Sequence, residues 1–362
     1  MERIGRGKGV AALLNGRAKR VNAKVVRALE RALPEALILV SEDFAQARRH
    51  VRHIIEEKPL AVLSGGGDGA VVRLLNLLRE ESHGAPLPTV GVLKLGTGNG
   101  WARTSGAGDF FAMLRELPKM PRALPTQRFD LVEVENQLCH FAGVGWDAKL
   151  LNDYLRNLDK RSSQLVGSRI AAKIHKGIPG YLYSVFRITV PEEWAALRKA
   201  GQAQVVLENR GKEVFGLNPA AELVPLTDRL AGPQTGVSVE VPRQRLFEGP
   251  VSVGAASSTP EWGFNFRAFP YARLKPGYIN IRIYDRPVMQ AVRSILKLWK
   301  GAPLPGMHDF FATHVSMRFS RPMPFQIGGD GVGLREQIEF RAAKESVPLV
   351  DWRAALDAAR EP

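Results

Sequence analysis

Leu60-Ala61-Val62-Leu63-Ser64-Gly65-Gly66-Gly67-Asp68-Gly69-Ala70 is the stretch whose reading decides the fold. Leu60 to Leu63 is a short apolar run with the length of a buried strand, and it passes straight into glycines. A helical pattern follows from about Ala70 to Glu80. A strand that turns through glycine into a helix is the building unit of a parallel sheet covered by helices. In such sheets ligands gather at the carboxyl ends of the strands, which is where these glycines fall.

The flanking sequence repeats the unit. Val10-Ala11-Ala12-Leu13-Leu14 reads as a first strand ending at Asn15-Gly16. Val21 to Leu33 carries Val21, Val25, Ala28, Leu29 and Ala32 at helical spacing and stops at Pro34. Leu37 to Val40 is the second strand, after which Ser41 or Asp43 caps a helix through Glu57. Thr89 to Leu93 is the fourth strand. Past Phe129 the texture changes. Asp130 to Val134, Tyr278 to Tyr284 and His314 to Phe319 alternate with period two, as half-buried antiparallel strands do. With 362 residues the chain exceeds the size of a single core. The expected architecture is α/β, with an N-terminal Rossmann-like parallel-sheet domain over residues 1–129, completed by about 335–362. A β-rich domain is expected over residues 130–334.

Composition narrows the function classes. Hydrophobic residues make up 45% and charged residues 24%, the balance of an ordinary globular protein. The single cysteine, Cys139, has no partner for an internal disulfide, which fits a reducing compartment. No apolar run reaches the ~18 residues of a spanning helix, and Val10 to Leu14 is too short for the apolar region of a signal peptide. The formal charge of +15 attracts polyanions: nucleic acid, nucleotide phosphates or an anionic membrane surface. The basic residues are scattered, without a basic tail or interleaved aromatics, so no nucleic acid partner is expected.

Three strand ends carry candidate ligand loops. Ser64-Gly65-Gly66-Gly67-Asp68-Gly69 follows the third strand and opens a helix, where glycines allow close backbone approach and free N–H groups favour phosphate. Asp68 inside such a loop would repel phosphate unless it serves a metal, a proton transfer or the loop's own geometry. Gly96-Thr97-Gly98-Asn99-Gly100-Trp101-Ala102-Arg103 follows the fourth strand, and Asn15-Gly16-Arg17 follows the first. Each loop alone reads as an ordinary tight turn; three at matching strand ends read as a site. The G-x-x-x-x-G-K-[ST] loop is absent, and Trp101 stands where the third glycine of the dinucleotide fingerprint belongs.

The GGDG element, Leu95-Gly96-Thr97-Gly98-Asn99 about thirty residues later and then Ala102-Arg103 resemble the diacylglycerol kinase catalytic domain family. That family includes bacterial lipid kinases and sphingosine kinases. Asp130, Phe141 to Ala148, Gly177 to Tyr183, Val251 to Gly254 and Gln326 to Gly331 continue the series, while Pro191 to Gly249 matches weakly. The GGDG motif also occurs in NAD kinases and phosphofructokinases, and the resemblance implies their kind of N-terminal domain joined to a β-sandwich-like lipid-binding domain. It implies ATP-dependent phosphorylation of a hydroxyl on diacylglycerol or a related lipid, with Mg²⁺. The nucleotide-binding residues it implies are Asn15, Gly16, Arg17, Ser64, Gly65, Gly66, Gly67, Asp68, Gly69, Gly96, Thr97, Gly98 and Asn99. Asp130 matches a carboxylate of a water-mediated magnesium network, joined by Asp68. Asp68 and Asp330 are the candidate catalytic acids. The expected location is the cytoplasm, with peripheral contact to the inner face of the membrane.

This chain departs from the family pattern at four places. Ala70 replaces the hydroxyl residue after GGDG, and Arg73 stands for an acid and could itself reach a phosphate. Gly100 replaces an acid of the second loop, and Val332 replaces the glutamate often assigned as base. Two other readings therefore stay open: a nucleotide or lipid binder without turnover, and a soluble-substrate kinase of the NAD kinase type.

Other features read as structural. His50 and His53 lie on a charged helix whose solvated face explains them better than a metal site. Ser257-Ser258 lacks a hydrolase frame. Val288 to Lys300 is predicted as one amphipathic helix. Val288, Val292, Ile295 and Trp299 form its apolar stripe, and Arg293, Lys297 and Lys300 a basic one. Such a helix packs on its own domain or lies on an anionic membrane.

Overall fold

The computed structural model describes residues 2–96, 99–153, 183, 185–231, 238–262 and 266–360. The chain divides into two compact units, one formed by residues 1–131, 261–265 and 343–362 and the other by residues 132–260 and 266–342.

The first unit is built on strands β1 (Val10–Asn15), β2 (Leu37–Ser41), β3 (Ala61–Gly66), β4 (Thr89–Lys94) and β5 (Thr126–Phe129). With the C-terminal strand Val347–Val350 they form one sheet in the order β2-β1-β3-β4-(Val347–Val350)-β5. All neighbours are parallel except the last pair. Helices α1 (Ala23–Ala32), α2 (Phe44–Glu57) and α3 (Asp68–Glu81) alternate with the strands. Local chemistry sets their starts. The Asn22 side chain accepts from the Lys24 and Val25 N–H groups, and Asp43 accepts from Gln46. Of the two cap candidates for α2, Asp43 is the one used, while Ser41 is the last residue of β2. Val25 and Leu29 of α1, and Ala47, Val51 and Ile54 of α2, make the buried stripes. The C-terminal segment locks the centre of the sheet. Trp352 is fully buried and donates from Nε1 to the Val92 carbonyl at 3.0 Å. A Cβ at Gly91 would lie 2.9 Å from that indole, so only glycine leaves room for it.

The second unit is antiparallel. Its strands are β6 (Val132–Val134), β7 (Gln137–Cys139), β8 (Phe141–Gly145), β9 (Ala203–Asn209), β10 (Val214–Leu217), β11 (Leu223–Pro225) and β12 (Thr227–Ala231). Then follow β13 (Ser238–Pro242), β14 (Arg245–Val251), β15 (Val253–Ser257), β16 (Ile279–Tyr284), β17 (Met307–Ala312), β18 (His314–Ile327) and β19 (Asp330–Ala342). Most join one sheet in the order β11-β10-β17-β16-β15-β8-β18-β19-β6-β7, and β12–β13 is a separate hairpin. The sheet forks at β18, whose first half pairs with β9 and whose last residues pair with β8. The register breaks between Arg318 and Met323. Because both branches share one core, with Val205 and Leu207 beside Val144, Ile281, Phe325 and Phe340, the unit closes on itself in the manner of a sandwich.

Two readings from the sequence are corrected. Tyr278 to Tyr284 is not half-buried: every residue of β16 is buried. Its polar positions face a buried polar layer, where Arg282 makes a bidentate pair with Asp309 at 2.9 and 2.7 Å and Asn280 donates to Asp309 at 3.1 Å. Period two reports two different faces, not which of them meets water. The helix expected over Val288 to Lys300 breaks at Ser294 into Val288–Arg293 and Ile295–Trp299. In the second piece Leu298 is buried and Trp299 is partly exposed.

Candidate functional site in the glycine loops

The first unit brings the loops after β1, β3 and β4 together at the carboxyl edge of its sheet. Ser64 is buried inside β3, and the chain leaves the strand through glycines that serve packing as much as turning. A Cβ at Gly65 would strike Leu14, and one at Gly66 would sit 2.7 Å from the Ala70 methyl and 3.3 Å from Asn15 Cβ. The tightest approach joins the loops: a Cβ on Gly96 would lie 2.3 Å from Gly67 Cα and 2.8 Å from the Gly66 carbonyl. Here backbone meets backbone, which no side chain can accommodate.

Gly67 precedes α3 with no side-chain cap, and among the described residues a Cβ at Gly69 would meet nothing within 4 Å. Among the described residues the first turn of α3 therefore faces no neighbour at Gly69, and it presents the positive end of the helix dipole, an arrangement suited to phosphate. Asn15 is occupied locally, its Oδ1 accepting from the Arg17 N–H at 3.1 Å. Gly16 donates to the Ser41 carbonyl, and the Arg17 side chain is exposed.

Asp68 turns out to be the joint between loops. Its Oδ2 accepts from the Gly100 N–H and its Oδ1 from the Trp101 N–H, both at 3.0 Å. It thereby caps α4 (Gly100–Thr104) from a distance of more than thirty residues. Asn99 has the left-handed φ of +56° and folds its own loop shut, accepting from the Gly96 N–H at 2.9 Å and donating to the Gly96 carbonyl at 2.6 Å. Trp101, fully buried, stacks on Phe129 with centroids 4.3 Å apart, which ties α4 to the strand that ends beside Asp130. Asp130 itself accepts from Arg128 Nε at 2.8 Å. Arg103 is held by Glu261 at 2.8 Å. Arg73, which the sequence offered to a phosphate, lies with its guanidinium 6.0 Å from the Phe44 ring centroid. Thr97 and Gly98 lie outside the described residues.

Among the described residues no three His, Cys, Asp or Glu side chains gather as a metal cage. A magnesium ion shared with phosphates needs only one or two carboxylates. Each Asp68 oxygen keeps a lone pair after its N–H bond, so the chemistry of Asp68, in the first turn of α3, fits that role. His50 and His53 play no such part: His50 Nε2 lies 3.1 Å from the Val40 carbonyl, and His53 faces Glu56 at the surface.

The second unit carries a separate cluster. Gly328 and Gly329, with φ of +59° and +98°, make the two-residue turn of the β18–β19 hairpin, and Asp330 is exposed at its start. A Cβ at Gly331 would collide with the Asn152 amide. Beneath the hairpin Gln326 Nε2 donates to Asp147 Oδ2 at 2.7 Å, while Asp147 Oδ1 is buried with no hydrogen-bond partner among the described residues. Burial pushes the Asp147 carboxyl up to about 6, against the opposing pull of Gln326 and the adjacent N–H groups. Sequence reasoning passed over Asp147 as a family landmark. Its signal was an acid placed directly after an all-buried strand and Trp146. Ser257 and Ser258 both donate to the His140 carbonyl, at 3.1 and 3.2 Å, and are structural. The landmark Gly177 to Tyr183 lies outside the described residues except for Tyr183.

Comparison with known proteins agrees with this geometry. Residues 12–131 match the model of the diacylglycerol kinase catalytic domain. No curated protein matches the chain. Among solved structures, a putative diacylglycerol kinase from Bacillus anthracis str. Sterne is similar at 14% identity and TM-score 0.57, over 94% of this chain and 96% of that one. A diacylglycerol kinase structure from the same organism is similar at 13% identity and TM-score 0.54, with the same coverage of both chains. At such identities the likeness is one of fold, and it spans both units. The family match runs from Ala12 inside β1 through the GGDG turn and the Gly96 loop to Leu131, so this chain is similar to the diacylglycerol kinase catalytic domain over the sheet and loops that form the candidate site.

Proposed function

We propose that this protein transfers the γ-phosphoryl group of ATP to a hydroxyl of diacylglycerol or a related lipid alcohol. The observation that carries the reading is the joint at Asp68. One carboxylate fixes the second glycine loop by two N–H bonds while standing at the open first turn of α3. Phosphoryl transfer depends on positioning and charge neutralisation more than on covalent help, and this joint sets both loops around one phosphate position. The α3 start and Gly69 hold the phosphates, Asp68 with Asp130 is the acidic side of a shared Mg²⁺ site, and Asp68 or Asp330 accepts the hydroxyl proton. Magnesium, when bound with ATP, supplies the neutralisation of phosphate charge. The lipid's acyl part is assigned to the antiparallel unit. That unit has a cavity of about 150 Å³ with Trp146, Leu197, Val251, Val288 and Met323 on its apolar side and Glu193, Gln202 and Arg321 on its polar side.

A second reading is favoured by specific residues. Gly100 and Val332 lack the acids of the family pattern, and both Asp68 oxygens already accept N–H bonds. A protein so built could bind nucleotide without turnover. The deciding assay is ADP release from Mg·ATP over mixed micelles of diacylglycerol, monoacylglycerol, sphingosine or ceramide. Lipid-dependent ADP release supports the kinase; saturable ATP binding with no ADP on any lipid supports the binder. Turnover of NAD without lipid would point to a soluble substrate instead.

A further inference from the structure

We propose that the turn Ile295–Trp299 is the face by which this protein docks on an anionic lipid bilayer. Leu296 is 77% exposed, the most exposed large apolar side chain among the described residues, and Trp299 beside it is 37% exposed. A two-residue apolar tip is ordinarily unremarkable; its setting is what gives it meaning. Leu298 of the same turn is buried in a cluster with Trp146, Tyr284, Val288, Ala291 and Leu304, so the tip is carried on a fixed base. At about 100° per residue Leu296 lies more than about 100° around the axis from the centre of the face that buries Val288, Ala291 and Leu298, so it points away from the domain.

Charge selects the occupant. From Arg286 through Met307 the sequence contains no aspartate or glutamate. Arg293, Lys297 and Lys300 lie around the tip, with Lys297 and Lys300 exposed. The fold adds Arg267 from a different segment, with its N–H bonded to the Trp299 carbonyl at 3.2 Å and its side chain exposed. Leucine and tryptophan at the apex with cations around them match the boundary of an anionic bilayer, where apolar groups enter the acyl region and basic groups meet headgroups. An apolar protein groove would take the leucine and tryptophan but not the ring of cations. This docking rests on the lipid-acceptor reading for its purpose, since the acceptor lies in a membrane. The surface itself is argued independently.

The test is co-sedimentation of the full chain with vesicles of phosphatidylcholine alone or with phosphatidylglycerol, at low and high salt. Binding should need phosphatidylglycerol and weaken with salt. Each basic residue near such a surface contributes about fivefold in affinity, so Lys297→Gln with Lys300→Gln should lower binding by about 25-fold at low salt. Leu296→Gln alone should lower it by roughly fivefold to tenfold at any salt. Both variants should keep their unfolding temperature and their ATP turnover on a dispersed short-chain acceptor. Wild-type binding that neither variant weakens would place the docking face elsewhere and overturn the proposal. So would a wild type that binds no vesicle, and ADP release on the dispersed acceptor would then show whether the kinase reading still stands.

Discussion

Replacing Asp147 by asparagine tests whether a carboxyl buried beneath the β18–β19 hairpin governs the acid side of this protein's stability. The amide keeps the size and an oxygen for Gln326, and removes only the charge. The folded carboxyl is raised from its ordinary 3.8 to about 6, because burial penalises the ionised form. Between those two values the folded state holds a proton that the unfolded state has released. Stability from this group is therefore fully present below the unfolded value and is lost as pH rises through the folded one. Integrated from about pH 4.5 to about pH 8, the loss is about 2 kcal/mol. The Asp147→Asn variant has nothing to titrate at this position. It should therefore gain about 2 kcal/mol on the wild type across that interval, whatever constant offset the amide brings. Urea unfolding at several pH values, read through hydrogen exchange of β8 and β18 amides, assigns the change to this unit. A stability difference between the two proteins that stays flat within ~0.5 kcal/mol over the interval would refute the burial argument.

The glycine loops give paired expectations. Gly69→Ala meets no described atom and sits in the first turn of α3. It should stabilise the chain by about 0.5–1 kcal/mol while weakening ATP binding in calorimetry, because the methyl fills the phosphate position. Gly96→Ala forces backbone from backbone and should cost roughly 1–3 kcal/mol in thermal unfolding with ATP binding lost as well; a tolerant melting curve would mean that the loops are not locked together. Asp68→Asn must present an N–H₂ group to one of two N–H donors, and should cost about 1–3 kcal/mol besides abolishing ADP release. Full stability with lost turnover would show that the cap is dispensable. In Gly100→Asp the new Cβ would lie 3.6 Å from Asp68 Oδ2, ordinary contact, and two carboxylates would face each other. The variant should melt lower than wild type in EDTA and recover with Mg²⁺; an equal response of both proteins to Mg²⁺ would count against a cation site there.

Much of the first unit was legible because its signals are local. Apolar runs of strand length ending in glycine, and the caps Asn22 and Asp43, need only a few neighbouring residues to act. The parallel-sheet class and the kinase-family resemblance came from those runs and the spacing of two glycine loops. The antiparallel character of the second unit was legible from alternation, but its burial was not. Asn280 and Arg282 look solvent-facing until Asp309 arrives from the neighbouring strand to neutralise them. The helix at Val288 was overextended for a similar reason: its apolar spacing is continuous in sequence, and only the position of the cluster around Leu298 decides where the chain must turn.

The sequence by itself determined what each segment could become, since strand length, helix caps and permissive glycines depend on steric and hydrogen-bonding preferences of adjacent residues. Tertiary structure decided what the polar residues do. Asp68 became a joint because Gly100 and Trp101 present their N–H groups to it. Gly96 became irreplaceable because Gly67 lies against it. Asp147 became a weak acid because strands distant in sequence exclude water from it. Each of these depends on desolvation and on distances between groups far apart in the chain, and neither quantity exists until the chain has folded.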